Sequence, residues 1–562
     1  MKFAQLSKAA GAMCASFALA VCGSAQGDVN NNTSASTSKM ATKQSAAGNT
    51  ASAILGVNVS GIQWSSRQFT NLIYGSSWIV QNASGASSRV PANLLDANGW
   101  VKSAPAGSRI MRELTAPLNG GKFICRYQGN GTLSVSGPAV SNVATSAGST
   151  NFTLAGTYPN PKTALLSYAV DPTNYIRNID CRETSASSGN TLTPEFLSQL
   201  SMFRTIRFMK WQTATEGNWP VTWATRNKPG DGDYTKNDGV PVEVMVQSAN
   251  QAGADLWVTV PWNADNDYIT KFATYVRENL ATNHRAYVEV SNEVWNGNYP
   301  VAAQATKEAQ AEALPSGTNS QTAGNLERYA EKTKQVMEIW TNVFSGQNNR
   351  LVRVASWQHV SPYYTDLLLK YMNVSQFVDA LATAPYFGYD ATSSMSLDQI
   401  MTSLPAEVSA AVNWGAQQKS VASKYGLRYL TYEAGQGIVL SNNVPLEQQV
   451  QRDTRMHDAY LQFMKSWQTQ IGDSLNLFAL EGQISKYGAW GLSEYIGQPA
   501  SQAPKLQAVL DFLGLNATAA GPPVVYSPTQ VCDAHSIVPG TSSCVTNAAM
   551  TAPPTNTNTA IH

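Results

Sequence analysis

The sequence predicts an α/β fold: a parallel (β/α)8 TIM barrel with a small all-β domain inserted after its first strand. Three observations predict it. From Thr193 to about Leu515, short apolar runs alternate with stretches of helical period, and parallel strands need such helical crossovers. Two of those runs deliver glutamate at their C-terminal ends: Tyr287-Val288-Glu289-Val290-Ser291-Asn292-Glu293-Val294-Trp295-Asn296 and Arg428-Tyr429-Leu430-Thr431-Tyr432-Glu433-Ala434-Gly435. Between Leu94 and Arg182 the helical period disappears and only short alternating runs remain.

Residues 1–25 read as an export signal. Lys2 and Lys8 precede an apolar run from Ala9 to Val21, and Gly23-Ser24-Ala25 offers small residues for cleavage. Leu19-Ala20-Val21-Cys22 also resembles a lipoprotein box, which would leave a lipidated Cys22 at the mature N-terminus. Both readings place the protein in a secreted, periplasmic or cell-envelope location. Residues 26–52, rich in Asn, Ser, Thr and Ala, read as a disordered linker.

The barrel starts within residues 53–93. Ile54-Leu55-Gly56-Val57-Asn58-Val59 is strand one, and the loop after it carries Trp64 and Trp78. Residues 94–185 form the inserted β-domain, with runs such as Lys122 to Tyr127 separated by Gln128-Gly129-Asn130-Gly131. Such a domain either binds sugar itself or shapes one wall of a cleft. Residues 186–515 complete the barrel. Thr193-Pro194-Glu195 opens a helix, with threonine as cap and proline at the first position. Strand two is Thr205 to Met209 and strand three Leu256 to Val260. Strand four ends at the Glu293 cluster. Strand five is Leu351 to Ala355, strand six Val378 to Ala384, strand seven ends at Glu433, and strand eight is Ser474 to Leu480. Helices are expected over Val240–Gln251, about Asn325–Phe344 and about Leu446–Gln468. Residues 516–562 form a C-terminal tail, mostly disordered. An open doubly wound sheet is the alternative, but no Gly-rich phosphate turn follows strand one.

Composition narrows the function. Charged residues are 13%, about half the usual share, and 14 Trp and 23 Tyr accompany abundant neutral polar residues. This suits a protein that handles neutral polar ligands, because aromatic faces stack on the apolar faces of sugars. A net charge of +1 argues against a nucleic-acid partner. No pair among the five histidines has metal-ligand spacing, so neither a metal nor any other cofactor is expected. No stretch after the leader is long and apolar enough to span a membrane. A monomer is expected. By proximity in sequence, Cys125 pairs with Cys181 and Cys532 with Cys544.

Two carboxylates from different strand ends are the minimal equipment for splitting a glycosidic bond. One gives a proton to the leaving oxygen; the other, ionised, attacks the anomeric carbon or activates a water. A gap of about 5–5.5 Å between them retains configuration, and a wider one inverts it.

Asn292-Glu293 closing strand four and Glu433 closing strand seven resemble the clan A glycoside hydrolases, which include the family 5 cellulases and mannanases. The resemblance implies a retaining mechanism with Glu293 as acid/base and Glu433 as nucleophile. It implies that Asn292 binds the sugar 2-hydroxyl, that Arg207 holds the nucleophile, that Tyr386 hydrogen-bonds it, and that Trp490 forms a sugar platform. Glu289 lies four residues before Glu293, as in the family 5 pattern, whereas Val294 stands where that family carries proline. The stretch from Tyr268 to Asn298 is also similar to bacterial secreted proteins labelled cellulose-binding.

Other readings compete. Arg207 also suits a salt bridge with Glu289 inside the barrel. Trp211, Trp262, Trp295 and Trp357 closely follow predicted strands, which favours a cleft, though packing under loops is the alternative. Glu481 ends strand eight and competes with Glu433. The expected function is a retaining, endo-acting glycoside hydrolase on the β-linkages of an extracellular, cellulose-like polysaccharide. The alternative is a non-catalytic polysaccharide-binding protein on the same scaffold.

Overall fold

Eight strands pair in parallel around a nearly closed barrel. They are β1 Leu55–Asn58, β2 Thr205–Arg207, β3 Asp255–Val260, β4 Ala286–Val290, β5 Leu351–Ser356, β6 Ala380–Thr383, β7 Arg428–Thr431 and β8 Leu475–Leu477. The order around the sheet is β7-β6-β5-β4-β3-β2-β1-β8. This computed structural model describes residues 54–515 except 63–65, 115–119, 157–163, 187–189, 213, 216–219, 236–238 and 315–323. The expected leader with Cys22, the 26–52 linker, Trp64, the 516–562 tail and the Cys532–Cys544 pair lie outside the described residues.

Alternation along the strands splits the apolar residues into two clusters. Trp257, Tyr287, Val352, Val354, Ala380, Ala382, Leu430 and Tyr432 fill the barrel's inside. Their alternates, such as Leu256, Val258, Val288, Val290 and Leu381, join the larger cluster shared with the helices. Every residue of β3 and β4 is buried, as expected of parallel strands covered on both faces.

The seam of the barrel is the β7–β8 junction. There the Thr431 N–H donates to Ser474 O at 3.0 Å. Asn476 completes the join: its backbone N–H donates to Thr431 Oγ1 at 2.7 Å and its Nδ2 to Thr431 O at 2.6 Å. Gly56 lies opposite Asn476 in the β1–β8 register, where a Cβ would fall 1.8 Å from Asn476 Oδ1. Only glycine leaves room for the side chain that joins the seam.

The helix after the insert starts at the predicted cap, and a further cap lies at Asp265. Thr193 accepts from the Phe196 N–H at 3.4 Å with Pro194 at the first helical position, and Asp265 accepts from Tyr268 N–H at 2.7 Å. The crossovers include Val242–Ala252, Asn266–Asn279, Asn325–Val343 and Leu397–Lys424. The helix expected over 446–468 is two, Val444–Arg452 and Thr454–Gln470. Asp453 breaks the first and caps the second.

The inserted domain has a five-stranded and a four-stranded antiparallel sheet. The five-stranded sheet also takes in two strands before residue 94, Ile79–Gln81 and Ser87–Arg89, whose three residues each are too few to show alternation. Cys125 and Cys181 lie opposite each other on neighbouring strands and form a disulfide. The domain grips the loop after β2. Fully buried Arg112 donates to Gly232 O and lies 3.8 Å from Asp233, while Gly232 N–H donates to Asn98 O at 2.7 Å. At its other end that loop reaches the barrel mouth, where Ala214 O accepts from Ser291 Oγ at 2.7 Å.

Candidate active site

The site is built where β4 and β7 stop. Past Val290 the chain takes two left-handed steps, at Ser291 (φ 53°) and Glu293 (φ 47°). Each such step costs a non-glycine residue of order 1–3 kcal/mol, so the surroundings must hold it. Ser291 N–H donates to Val260 O at 2.8 Å, and its hydroxyl anchors on Ala214. The result turns the side chains of both Asn292 and Glu293 toward the mouth.

Arg207, fully buried at the end of β2, is the hub. Its Nε donates to Glu289 Oε2 at 3.0 Å, with Nη2 also 2.9 Å from that oxygen. Nη1 donates to Asn58 Oδ1 and to Glu433 Oε1, each at 3.0 Å, and Nη2 donates to Asn292 Oδ1 at 2.7 Å. Burial alone would weaken its charge, but the carboxylates of Glu289 and Glu433 more than offset this and raise its pKa. One guanidinium serves the Glu289 ion pair and Glu433 together.

Glu433 receives a second donor, Tyr386 Oη, at 2.8 Å on its other oxygen. Both carboxylate oxygens are thereby fixed. Glu293 has a different environment. Tyr432 Oη donates to its Oε1 at 3.0 Å and Asn296 Nδ2 to its Oε2 at 2.9 Å, and no cation bonds it among the described residues. Surrounding protein and then the Glu433 charge push its pKa up to about 7, although the residue stays partly open to solvent at the mouth. Asn292 is buried, and its Nδ2 has no hydrogen-bond partner among the described residues.

Aromatic side chains rim the pair. Tyr386 meets Trp490 edge to face at 5.6 Å, and Trp490 meets Phe478 at 5.9 Å. Trp490 is half-buried and its Nε1 donates to Tyr487 O at 3.0 Å. Trp295, next to the acid cluster, is half-buried as well.

Three expected sugar contacts are corrected. Trp211, Trp262 and Trp357 are only 1–2% exposed and offer no face to a ligand. Trp211 packs among Phe69, Phe196 and Phe208, and its Nε1 donates to Gln68. The Nε1 of Trp262 donates to Glu308 Oε1 at 3.1 Å, and Trp357 leans on Tyr329. Glu481 is buried, with its backbone carbonyl accepting from Ser60 Oγ and its Oε1 from Gln68 Nε2 at 3.5 Å.

Three site residues were not foreseen. Asn58 accepts from Arg207 and donates to Tyr432 O at 2.9 Å. Trp257 Nε1 donates to Glu289 Oε2 at 3.0 Å. Tyr432 precedes Glu433, yet its hydroxyl serves Glu293. Asn58 had a signal, being a polar residue at the end of an apolar strand.

No model of a known protein family matches the chain, and no curated protein matches it in sequence. Solved structures resemble it at low identity. A GH51 arabinofuranosidase from Xanthomonas axonopodis pv. citri is 11% identical, with a TM-score of 0.34, over 54% of this chain and 62% of that one. A family 51 α-L-arabinofuranosidase from Bifidobacterium longum is 11% identical, with a TM-score of 0.37, over 58% and 68%. A β-glucosidase from Thermotoga maritima is 10% identical, with a TM-score of 0.31, over 57% and 86%. The chain thus spans less than two thirds of the first of these proteins.

Proposed function

We propose that this protein is a retaining glycoside hydrolase acting on β-linked polysaccharide, with Glu293 as acid/base and Glu433 as nucleophile. The observation that carries the reading is the unequal treatment of the two glutamates. Glu433 accepts from a guanidinium and a phenol, donors that bond best to a carboxylate. Glu293 has no cation beside it among the described residues and a pKa raised to about 7, so it holds a proton near neutrality. Two carboxyls with such unequal partners support the roles of acid and nucleophile.

In the reaction, Glu433 attacks the anomeric carbon as Glu293 protonates the leaving oxygen. A covalent glycosyl-enzyme forms and the aglycone departs. Water then attacks, giving its proton to Glu293, and Glu433 is released. Arg207 and Tyr386 hold Glu433 in line throughout, and Asn292 Nδ2, which has no partner among the described residues, donates to the sugar 2-hydroxyl. A cellulose-like β-glucan is the first substrate to try, because the rim offers aromatic rings and little charge.

The test is reducing-sugar release from β-glucans, xylan and mannan by wild type, Glu293→Gln and Glu433→Gln, with the anomer formed read by proton NMR. Release by wild type alone, with the β-anomer appearing first, is expected. Release by Glu433→Gln at the wild-type rate would remove the nucleophile assignment. Polymer binding without any release would leave a carbohydrate-binding protein.

A further inference from the structure

Tyr389 stands out at the rim. It is 63% exposed, yet it is not loosely held. Its ring rests on the backbone of Gly437, where a Cβ would fall 2.7 Å from Tyr389 Cε1. It meets Tyr386 edge to face at 6.2 Å, and Tyr386 meets Trp490 in the same way at 5.6 Å, so Tyr386 touches both of the other rings. The turn that presents it is pinned at both sides. Glu407 Oε2 accepts from Gly388 N–H at 2.8 Å and from Asp390 N–H at 3.4 Å, while Glu407 Oε1 accepts from Ser403 Oγ at 2.9 Å. Gly437 N–H donates to Phe387 O at 2.6 Å and ties the turn to the segment after Glu433. Tyr386, the edge-to-face neighbour of Tyr389, donates to Glu433 at 2.8 Å, so the Tyr389 ring lies one side chain away from that carboxyl.

A single exposed tyrosine is ordinary on a protein surface. A rigid one, a side chain away from Glu433, backed by bare backbone and open on the remaining side, is a preorganised stacking platform. We infer that Tyr389 forms a second sugar subsite, one pyranose unit beyond the ring held at the glutamates, and so makes the site selective for β-linked chains over single glycosides. This rests on the hydrolase reading above. Its chemistry requires a ring with an apolar face, as β-linked glucose, xylose and mannose units have. Gly437 is part of the device, since a side chain there would displace the platform.

The experiment compares kcat/KM of the full chain on cellohexaose, xylohexaose and mannohexaose with that on the matching 4-nitrophenyl β-glycosides. A trisaccharide replaces the aryl glycoside where the latter is inert. For the sugar that wild type hydrolyses, Tyr389→Ala is expected to lose roughly tenfold more on the hexasaccharide than on the short substrate, mainly through KM, as truncating a stacking aromatic does. Tyr389→Phe is expected to recover most of that loss, because the ring and not the hydroxyl is the platform. Equal losses on long and short substrates would mean that Tyr389 only supports Tyr386, and would overturn the inference, as would no loss. If wild type hydrolyses none of the substrates, the hydrolase reading fails first and the subsite falls with it.

Discussion

Tyr432 donates its hydroxyl to Glu293 at 3.0 Å although the next residue, Glu433, belongs to the opposite carboxyl of the pair. β7 ends at Thr431, so strict alternation no longer governs the two side chains. One short bend of chain therefore touches both glutamates.

Removing that hydroxyl should alter the pH profile. The Tyr432 bond favours the ionised form of Glu293 and partly opposes burial and the Glu433 charge, which raise its pKa. In Tyr432→Phe the Glu293 pKa should rise further, and the alkaline limb of kcat/KM should move upward from near pH 7, by up to about one pH unit. A limb that stays in place or moves down would contradict the assignment of Glu293 as the acid.

Stability should respond to pH through the same group. The Glu293 pKa is raised from 4.5 to about 7 in the fold. Its favourable contribution is complete below the unfolded value and is lost as pH rises through this window, because the unfolded chain releases the proton first. Glu293→Gln carries no such proton. Thermal unfolding should place it nearer to wild type at pH 4.5 and increasingly above it toward pH 8, at the expense of activity.

Arg207→Met should be among the most damaging changes in the chain. It leaves Glu289 buried without its cation and frees Glu433, Asn58 and Asn292 at once. Breaking a buried pair in this way costs about 3–5 kcal/mol, readable by urea unfolding. Arg207→Lys should recover little, since an ammonium cannot reach four side chains with a planar fork.

Asn292→Ala should lose activity only where the substrate has a hydroxyl to bind. The expected fall in kcat/KM is about twofold to tenfold on an ordinary glycoside, from a neutral hydrogen bond worth about 0.5–1.5 kcal/mol. On the 2-deoxy glycoside the variant and wild type should converge. A fall of the same size on both substrates would make Asn292 a support for Arg207 alone.

Much of this architecture was legible in the sequence. Eight apolar runs separated by helical stretches gave strand number and order, and the glutamates at the ends of runs four and seven marked the mouth. The buried tryptophans were misleading for a physical reason. Trp211, Trp262 and Trp357 follow strands, but the chain there has already turned under the loops, and large rings fill that space. Tyr432 and Trp257 were hidden because their partners are distant in sequence, and apolar-looking positions gave no sign that a hydroxyl or an indole N–H would be used. The short first strands of the insert carry too few residues for any periodic signal.

The Asn476 join beside Gly56 has a bearing on motion. Seven of the barrel's contacts between neighbouring strands are regular ladders, whereas the eighth is a clasp of a few bonds around Thr431. A hoop fastened by a clasp opens at the clasp. The Thr431 amide should therefore exchange with solvent sooner than those of β3 and β4. The wall bearing Glu433 would be the part of the ring able to breathe, next to the mouth where Glu293 and Glu433 lie.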